Sequence, residues 1–425
     1  MASTSKAQAL DLDRILDERI DWRYKSFPAG PPTTIREVRK RGWNVLDGDF
    51  MFPAMVLKES ALRHNIDTMA SLCKRHDISL APHGKTAMAP QLLQLQLDAG
   101  AWAVTAATMW QVRVWRAFNA SRVVLANELV EPAAIRWLAD ELQEDPGFDF
   151  YCLVDSVPGV RVLEDALDGA GLDRRVNVLL ELGVEGGRTG CRTREEARAV
   201  AEAVSAARHL ALVGVEGFEG VLGEVTHVDA FLEEIRSMVI ELDQAGRFGD
   251  VDEVLVTAGG SAFPDRVIAA FDGMPNPVRV VLRSGCYLTH DAAHYKQLSP
   301  FGRRLAGTDP LEEALEVWGV VLSLPEPGIA LLGFGKRDVP YDLELPVARL
   351  VKRPGQAPQP LRGTASITSL NDQHAYMRIE VGQELAVGDL VGCGISHPCT
   401  AFDKWRLLPV VDDDYNVLDA VLTYF

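Results

Sequence analysis

The chain has 425 residues, of which 47% are hydrophobic and 24% charged, a profile typical of a globular protein with more than one core. Its formal net charge of −17 would repel a nucleic-acid backbone or an anionic membrane, so neither is expected as a partner. No apolar run approaches the roughly 20 residues that cross a bilayer, and the acidic N-terminal stretch does not resemble a signal peptide, so a cytoplasmic location is expected. Six scattered cysteines indicate reduced thiols rather than a disulfide framework.

The first 50 residues contain two patterns that do not define a domain. Leu10–Ile20 has a helical pattern, and the following FPAGPPTT is typical of a turn or linker. We therefore treat residues 1–50 as an N-terminal segment whose placement the sequence leaves open.

From about residue 60 to 290, short apolar or β-branched runs alternate with longer segments of helical periodicity, which is typical of parallel strands joined by helical crossovers. Eight strands are predicted, at residues 78–83, 102–106, 122–127, 148–154, 176–182, 210–218, 252–258 and 278–284. Candidate crossover helices include Ala89–Ala99, Met109–Phe118, Pro132–Leu142, Arg194–Arg208 and Asp229–Gln244. This rhythm predicts an α/β fold of the (β/α)8 TIM barrel type. An open doubly wound sheet is the alternative, because periodicity alone does not separate the two folds.

After residue 300 the pattern changes to short strand-like runs between Pro and Gly turns, with no long helical period. The runs are EVWGVVLSL, GIALLGFG, ARLVKR, TASITSL and AYMRIEV. We predict a second, all-β domain over residues 301–425, following a barrel over residues 51–300.

The end of the first predicted strand carries a lysine, Lys85. Active sites of β/α barrels lie at the C-terminal ends of the strands, where a partly desolvated lysine suits Schiff-base chemistry; a solvated surface lysine is the structural alternative. The Gly- and Ser-rich turns 257–261 and 283–286 follow the last two strands, where barrels often bind phosphate. Together these features describe a cofactor with an aldehyde at one end and a phosphate at the other.

At this point the chain resembles a known family, the fold-type III enzymes of pyridoxal phosphate (PLP), and within it the group of D-threonine aldolase and D-serine dehydratase, with an alanine racemase-like N-terminal barrel. The resemblance extends from Pro53 to about Trp405. It rests on the ordered set PHGKT (82–86), ELGVEGGRTG (181–190), GFEG (217–220), TAGGS (257–261), RSGCY (283–287), NDQH (371–374) and HPC (397–399).

The resemblance implies a set of cofactor-binding residues. Lys85 would hold PLP as a Schiff base, and Arg188 would hydrogen-bond the ring or its O3′ oxygen. The same motifs place the following residues in the cofactor site, several of them near the phosphate: His83, Gly259, Gly260, Ser261, Ser284, Gly285, Cys286 and Tyr287. Glu219 could face the pyridine nitrogen, or it could pair structurally with Arg188.

His397 and Cys399 stand two residues apart, on a loop stiffened by a proline. An imidazole and a thiolate at this spacing suit a divalent ion of the zinc type that keeps open positions for substrate. Asp403 is close in sequence, but an exposed aspartate beside Lys404 is the preferred interpretation. His374 is a candidate acid or base, with a structural histidine as the alternative.

These predictions define a function. We expect a metal-assisted PLP lyase acting on a 3-hydroxy D-amino acid, with dehydration of a D-serine-like substrate to a 2-oxo acid and ammonia favoured; the D configuration is implied by the resemblance alone. A D-threonine-type aldolase is the alternative, although family aldolases tend to carry aspartate where Cys399 stands. A racemase, a non-catalytic PLP carrier and a cofactor-free scaffold are the other interpretations. A homodimer is expected from the family.

Overall fold

The computed structural model describes residues 9–249, 251–275 and 277–425. The helices are α1 Asp13–Leu16, α2 Ile35–Val38, α3 Glu59–His76, α4 Pro90–Asp98, α5 Met109–Ala117, α6 Pro132–Glu144, α7 Val157–Gly169, α8 Arg194–Ala206, α9 Val225–Gln244, α10 Pro264–Phe271 and α11 His294–Leu298. Among these described residues, no helix combines the length and the apolar character that a membrane span requires.

Twenty strands are assigned within the described ranges. They are β1 Arg19–Ile20, β2 Thr33–Thr34, β3 Ala54–Lys58, β4 Ser79–Leu80, β5 Val104–Ala106, β6 Arg122–Glu128, β7 Asp149–Val154, β8 Val176–Leu182, β9 Leu210–Gly217, β10 Val254–Ala258, β11 Val278–Leu282, β12 Leu315–Glu326, β13 Ile329–Leu332, β14 Val347–Lys352, β15 Gln359–Pro360, β16 Ser366–Leu370, β17 Ala375–Arg378, β18 Leu390–Gly394, β19 Leu407–Val411 and β20 Val417–Leu422.

The chain divides into two compact units. The barrel unit comprises Ala70–Lys85 and Gln96–Gly285, with the described residues up to Leu10. The β unit comprises Asp11–Met69, Thr86–Leu95 and Cys286–Phe425.

The barrel unit contains eight parallel strands, β4 to β11, which pair in sequential order. The first and second strands are joined by hydrogen bonds from Trp102 N to Leu80 O (2.7 Å) and from Thr105 N to Pro82 O (2.9 Å). Sequential order with this closing contact is the topology of a β/α barrel. The predicted barrel is confirmed, and all eight predicted strands overlap observed ones.

The interior of the barrel is filled by side chains, because each strand turns alternate residues inward. One layer takes a buried residue from, or next to, each of the eight strands: Ala81, Ala103, Val124, Leu153, Leu179, Val213, Leu255 and Val281. The crossover helices turn their apolar face to the sheet; in α8, Ala197, Val200, Ala201 and Val204 are buried. A capping box between Thr193 and Glu196 begins that helix.

The β unit is built on a ten-stranded sheet. Seven strands follow the order β15-β14-β18-β12-β13-β17-β16, and β3, β19 and β20 complete it through pairs of β3 with β12 and β19. The pairs are antiparallel except for β3 with β19. The predicted all-β C-terminal domain is confirmed as a fold.

The N-terminal segment differs from its predicted helix. Only Asp13–Leu16 is helical, and Arg19–Ile20 instead pairs with Thr33–Thr34 as an antiparallel ribbon. Short helices are only marginally stable in isolation. The conformation of these few residues is therefore determined by their tertiary contacts rather than by their helical pattern.

Candidate functional site

Lys85 lies just after the first barrel strand, in the 3-10 helix Gly84–Thr86, and is half-buried. The preceding Gly84 packs so closely on the indole of Trp115 that a Cβ atom there would overlap the ring. Trp115 is 1% exposed, so it has no room to yield. Gly84 therefore fixes the path of the chain that presents Lys85 at the C-terminal end of the barrel strands.

His83 precedes this helix and forms a parallel bridge with Thr105. Its Nδ1 atom is buried and has no hydrogen-bond partner among the described residues. Burial holds the pKa of His83 well below its ordinary value, and the positive charges of Lys85, Arg283 and Arg188 lower that pKa further. The ring is therefore neutral at physiological pH, and three cations surround it.

Arg188 lies in the loop between β8 and α8, where its side chain is exposed. Arg192 braces this loop by donating hydrogen bonds to four of its carbonyl oxygens. The guanidinium of Arg188 lies 4.5 Å from the centroid of the Phe218 ring, a cation–π contact. The loop backbone and the Phe218 ring together position the charge that the sequence predicted to contact the cofactor.

Glu219 follows β9 and is fully buried, with 0% of its surface exposed. Its carboxylate oxygens accept hydrogen bonds from the backbone N–H groups of Gly259 and Gly260, each at 2.9 Å. Among the described contacts, Glu219 thus binds the glycine turn after β10, a role that sequence reasoning did not consider. Gly259 has φ +90°, which favours glycine, and a Cβ atom there would lie 2.6 Å from Leu282 Cδ2.

The turns after β10 and β11 are linked to each other. The hydroxyl of Ser284 donates a hydrogen bond to the carbonyl oxygen of Gly260 at 2.8 Å. Ser261 and Gly285, in the same two turns, are half-buried. Small residues and a hydroxyl group are the composition that phosphate sites of barrels use.

Arg283 and Glu216 form a buried ion pair that sequence reasoning missed, with side chains 6% and 2% exposed. Arg283 also donates to Thr257 Oγ1 at 2.5 Å. The sequence did contain a signal for this pair. Arg283 lies near the end of the apolar run VRVVLRS, and Glu216 lies within the apolar run LALVGVEGF, where charged residues are unusual.

A cluster of three carboxylates was also missed. Glu128, Asp155 and Glu181 belong to, or directly follow, β6, β7 and β8, and each offers an oxygen within 4.8 Å of the others. Burial, with Glu181 and Asp155 nearby, raises the pKa of Glu128 to about 9. The three residues are far apart in sequence, and only sequential strand order brings them together.

In the β unit, the side chains of His397 and Cys399 are hydrogen-bonded to each other, and their role as metal ligands stays a prediction. His397 has φ +52° and is followed by the 3-10 helix Pro398–Thr400. Its backbone N–H donates to Asp291, and its Nδ1 atom lies 2.5 Å from Asp342 Oδ2. A hydrogen bond with Cys399 is the main cause that raises the pKa of His397 to about 9.

The Cys399 thiol lies among several polar groups. Its Sγ is 3.1 Å from Cys286 Sγ and 3.4 Å from Thr86 Oγ1. A hydrogen bond with Cys286 is the largest cause that holds the pKa of Cys399 well below its ordinary value; burial opposes this, and hydrogen bonds with His397 and Thr86 add to it. The geometry therefore places a thiol beside an imidazole, and sulfur and nitrogen are the donors that zinc-type sites use.

The remaining candidates lie in the β unit as well. Tyr287 is buried in the 3-10 helix Cys286–Leu288. His374 lies in the turn between β16 and β17, with its side chain exposed. Asp403 is exposed and lies 3.7 Å from Lys404. The roles assigned to Tyr287 and His374 from the sequence stay predictions.

Two family models match this chain. The model of the alanine racemase N-terminal domain matches residues 57–297, more than half of the chain, and that of a putative serine dehydratase domain matches residues 314–411. The chain belongs to the fold-type III family of PLP enzymes. Within this family it falls in the group of D-threonine aldolase and D-serine dehydratase.

Two curated relatives are similar to this chain along most of their length. A D-threonine aldolase of Arthrobacter sp. is 25% identical over 85% of this chain and 89% of its own. A 3-hydroxy-D-aspartate aldolase of Paracoccus denitrificans (strain Pd 1222) is 24% identical over 71% of this chain and 76% of its own.

Solved structures share the fold. The D-threonine aldolase of Filomicrobium marinum superposes with a TM-score of 0.72 at 23% identity, over 88% of this chain and 95% of that one. The D-threo-3-hydroxyaspartate dehydratase of Delftia sp. HT23 gives 0.68 at 18% identity, over 88% of this chain and 97% of that one. A cysteine-to-alanine mutant of a D-threo-3-hydroxyaspartate dehydratase is described as the metal-free form.

The residues present fit the cofactor of the fold-type III family, which is PLP-dependent. The barrel unit offers a half-buried lysine, linked glycine and serine turns, and cations around the orphaned Nδ1 of His83. Lys85 could hold the aldehyde carbon, while the turns 257–261 and 283–285 could receive the phosphate. In the β unit, His397 and Cys399 fit a zinc-type ion, because nitrogen and sulfur donors meet and Asp342 orients the ring.

Proposed function

We propose that this protein is a PLP-dependent lyase that acts on a 3-hydroxy D-amino acid with the help of a metal ion, and that its reaction is dehydration to a 2-oxo acid and ammonia. Membership of the fold-type III family supports a lyase, since the curated relatives are aldolases and a structural neighbour is a dehydratase. A D-serine-like substrate is the preferred form of the proposal, and the proposed assembly is a homodimer.

The observation that carries the dehydratase proposal is the pairing of His397 with Cys399 in a preorganised loop. Asp342 holds the imidazole through Nδ1, and the thiol lies beside it as a soft ligand. Two mutants of a D-threo-3-hydroxyaspartate dehydratase support the same interpretation. One has a histidine changed to alanine, and the other has a cysteine two positions later changed to alanine. The structure of the cysteine mutant is described as the metal-free form. A metal at this pair would polarise the β-hydroxyl group of the substrate and stabilise it as it leaves.

Residues of the barrel unit would carry the remaining steps. When bound, PLP supplies an electron sink for the charge that develops at the α-carbon of the substrate. Lys85 Nζ would accept the proton from that carbon, since a lysine amine at the end of a barrel strand suits the role of a base once it has been released from the cofactor. Arg188 would hold an anionic oxygen at the mouth of the barrel, with its guanidinium kept in place by Phe218.

An aldolase that releases glycine and an aldehyde is the second candidate. It is favoured by the two curated relatives, both of which are aldolases at about a quarter identity. In that reaction the β-hydroxyl group would lose its proton and the Cα–Cβ bond would break.

The deciding experiment is a product assay of the PLP-loaded protein on D-serine, D-threonine and D-3-hydroxyaspartate, with and without a chelator. We expect a 2-oxo acid and ammonia, lost on chelation and restored by zinc. Glycine with an aldehyde would replace the dehydratase by the aldolase. Oxo acid formation that chelation leaves unchanged would refute the metal part of the proposal.

A further inference from the structure

Two cysteines far apart in the sequence come together in the β unit. Cys286 begins the 3-10 helix Cys286–Leu288, Cys399 lies in the 3-10 helix Pro398–Thr400, and their Sγ atoms are 3.1 Å apart. A disulfide bond joins sulfur atoms at about 2.05 Å, so the two thiols need to approach by only about 1 Å.

Both segments that carry these thiols are anchored. The carbonyl of Cys286 accepts a hydrogen bond from the N–H of His290 at 2.8 Å, and the carbonyl of His397 accepts one from Thr400 at 3.2 Å. The hydroxyl of Tyr295 is hydrogen-bonded to the Cys286 thiol. The close approach of the two sulfur atoms is therefore built into the fold of the β unit.

The two thiols differ in accessibility. Cys286 is 4% exposed, whereas Cys399 is half-buried and lies beside the imidazole of His397. A small oxidant would therefore reach Cys399 first, and Cys286 would be the thiol that resolves the product.

We propose that Cys286 and Cys399 are a redox pair whose reversible disulfide withdraws Cys399 from metal binding. With a small-molecule disulfide such as oxidised glutathione, the Cys399 sulfur attacks one sulfur, and one glutathione leaves as the thiol. The Cys286 sulfur then attacks Cys399 Sγ and displaces the second glutathione. The sum converts two protein thiols and one small disulfide into one protein disulfide and two glutathione thiols. Disulfides of reducing compartments are usually of this transient, sensing kind.

The formation of the disulfide does not depend on the proposed function. Its effect on metal binding does depend on it. A metal bound to the Cys399 thiolate would also protect it from oxidation, since the same lone pairs are engaged. The pair would thus respond to the oxidant chiefly when the metal is absent.

The test uses the full-length chain, treated with a chelator and then with oxidised glutathione. We expect two of the six thiols to be lost, a cross-linked peptide pair containing Cys286 and Cys399 in the mass spectrum, and full reversal by dithiothreitol. Zinc added before the oxidant should slow the loss, and the oxidised protein should fail to bind zinc until it is reduced. Retention of all six thiols, or a cross-link between other cysteines, would refute the redox pair.

Three variants sharpen the result. Cys286→Ser should stop at a mixed disulfide of Cys399 with glutathione, because the resolving thiol is gone, and Cys399→Ser should leave Cys286 unmodified. Cys73→Ser, a change at another half-buried thiol, should still form the cross-link. Equal mixed-disulfide yields in wild type and Cys286→Ser would contradict the proposal. If the disulfide forms but the reduced protein binds no zinc, the redox pair stands and the metal part of the proposed function fails.

Discussion

The Nδ1 atom of His397 lies 2.5 Å from Oδ2 of Asp342, and the other oxygen of that carboxylate accepts a hydrogen bond from Thr400 at 2.9 Å. One carboxylate therefore holds both the imidazole and the short helix that carries Cys399. Partners of this kind fix the tautomer and orientation of a metal-binding histidine and raise its basicity. Asp342 is 55 residues from His397, and the sequence offered no signal for it.

Removal of this carboxylate should weaken metal binding without removing a ligand. We expect Asp342→Ala to lower zinc affinity about 10- to 100-fold, the usual effect of losing such a partner. Competition with a chromophoric chelator measures the affinity, and Glu344→Ala, at an exposed carboxylate two residues away, serves as the control. Equal affinities for wild type and Asp342→Ala would show that His397 does not bind the metal through a ring held by this carboxylate.

The buried Glu219 should govern the glycine turn after β10. In Glu219→Gln the amide keeps one acceptor oxygen, so one of the N–H groups of Gly259 and Gly260 loses its partner. We expect a loss of about 1–3 kcal/mol in the free energy of unfolding, together with weaker PLP binding, because the turn is the predicted phosphate site. Urea unfolding and cofactor titration measure the two effects. The control is Glu233→Gln, an exposed position on α9; matching results for the two variants would rule out the bracing role of Glu219.

Lys85 should be the residue that reacts with the cofactor. Lys85→Ala should abolish the visible absorbance of the PLP-loaded protein and any covalent label left after borohydride reduction, because no other amine lies in the PHGKT motif. Lys74→Ala, at an exposed lysine of α3, should keep both signals. A borohydride label that survives in Lys85→Ala would assign the Schiff base to a different lysine.

The barrel was predictable because its signal is local. Each strand is a short apolar run, and each crossover helix is long enough to show helical periodicity. Because this strand-and-helix pattern occurs eight times, the barrel can be recognised even if one or two elements are missed. The Gly- and Ser-rich turns and Lys85 could be proposed as site residues for a related reason, since functional residues of a barrel stand where its strands end.

The contacts that organise the site were not predictable in the same way. Glu219 was predicted from the sequence as a site residue, but its hydrogen bonds to the glycine turn depend on how two strand ends meet. The pair of Arg283 with Glu216, and the proximity of Cys286 to Cys399, join residues 67 and 113 positions apart. Contacts between residues so far apart produce no periodic pattern in the sequence. A charged residue within an apolar run locally indicates the end of a strand rather than a buried ion pair.

The carboxylate cluster of Glu128, Asp155 and Glu181 should make stability depend on pH. The pKa of Glu128 is raised from 4.5 to about 9 in the folded protein, chiefly by burial. Between these values the folded state holds a proton that the unfolded state has released, so a rise in pH favours unfolding, and the effect ends above about 9. Glu128→Gln cannot release that proton. The free energy of unfolding of Glu128→Gln, relative to that of wild type, should therefore increase as the pH rises from 4.5 to about 9. We expect an increase of at least about 1.4 kcal/mol, which corresponds to one pKa unit.

The measurement is urea unfolding of both proteins at a series of pH values, with Asp140→Asn, at an exposed carboxylate of α6, as the control. The control should follow wild type, because Asp140 is exposed on α6 and does not belong to the cluster. A difference between Glu128→Gln and wild type that stays constant across the window would mean that Glu128 is ionised in the folded protein. A cation held among the three carboxylates would then be the physical explanation to pursue, since a bound positive charge lowers the pKa of each carboxyl group around it.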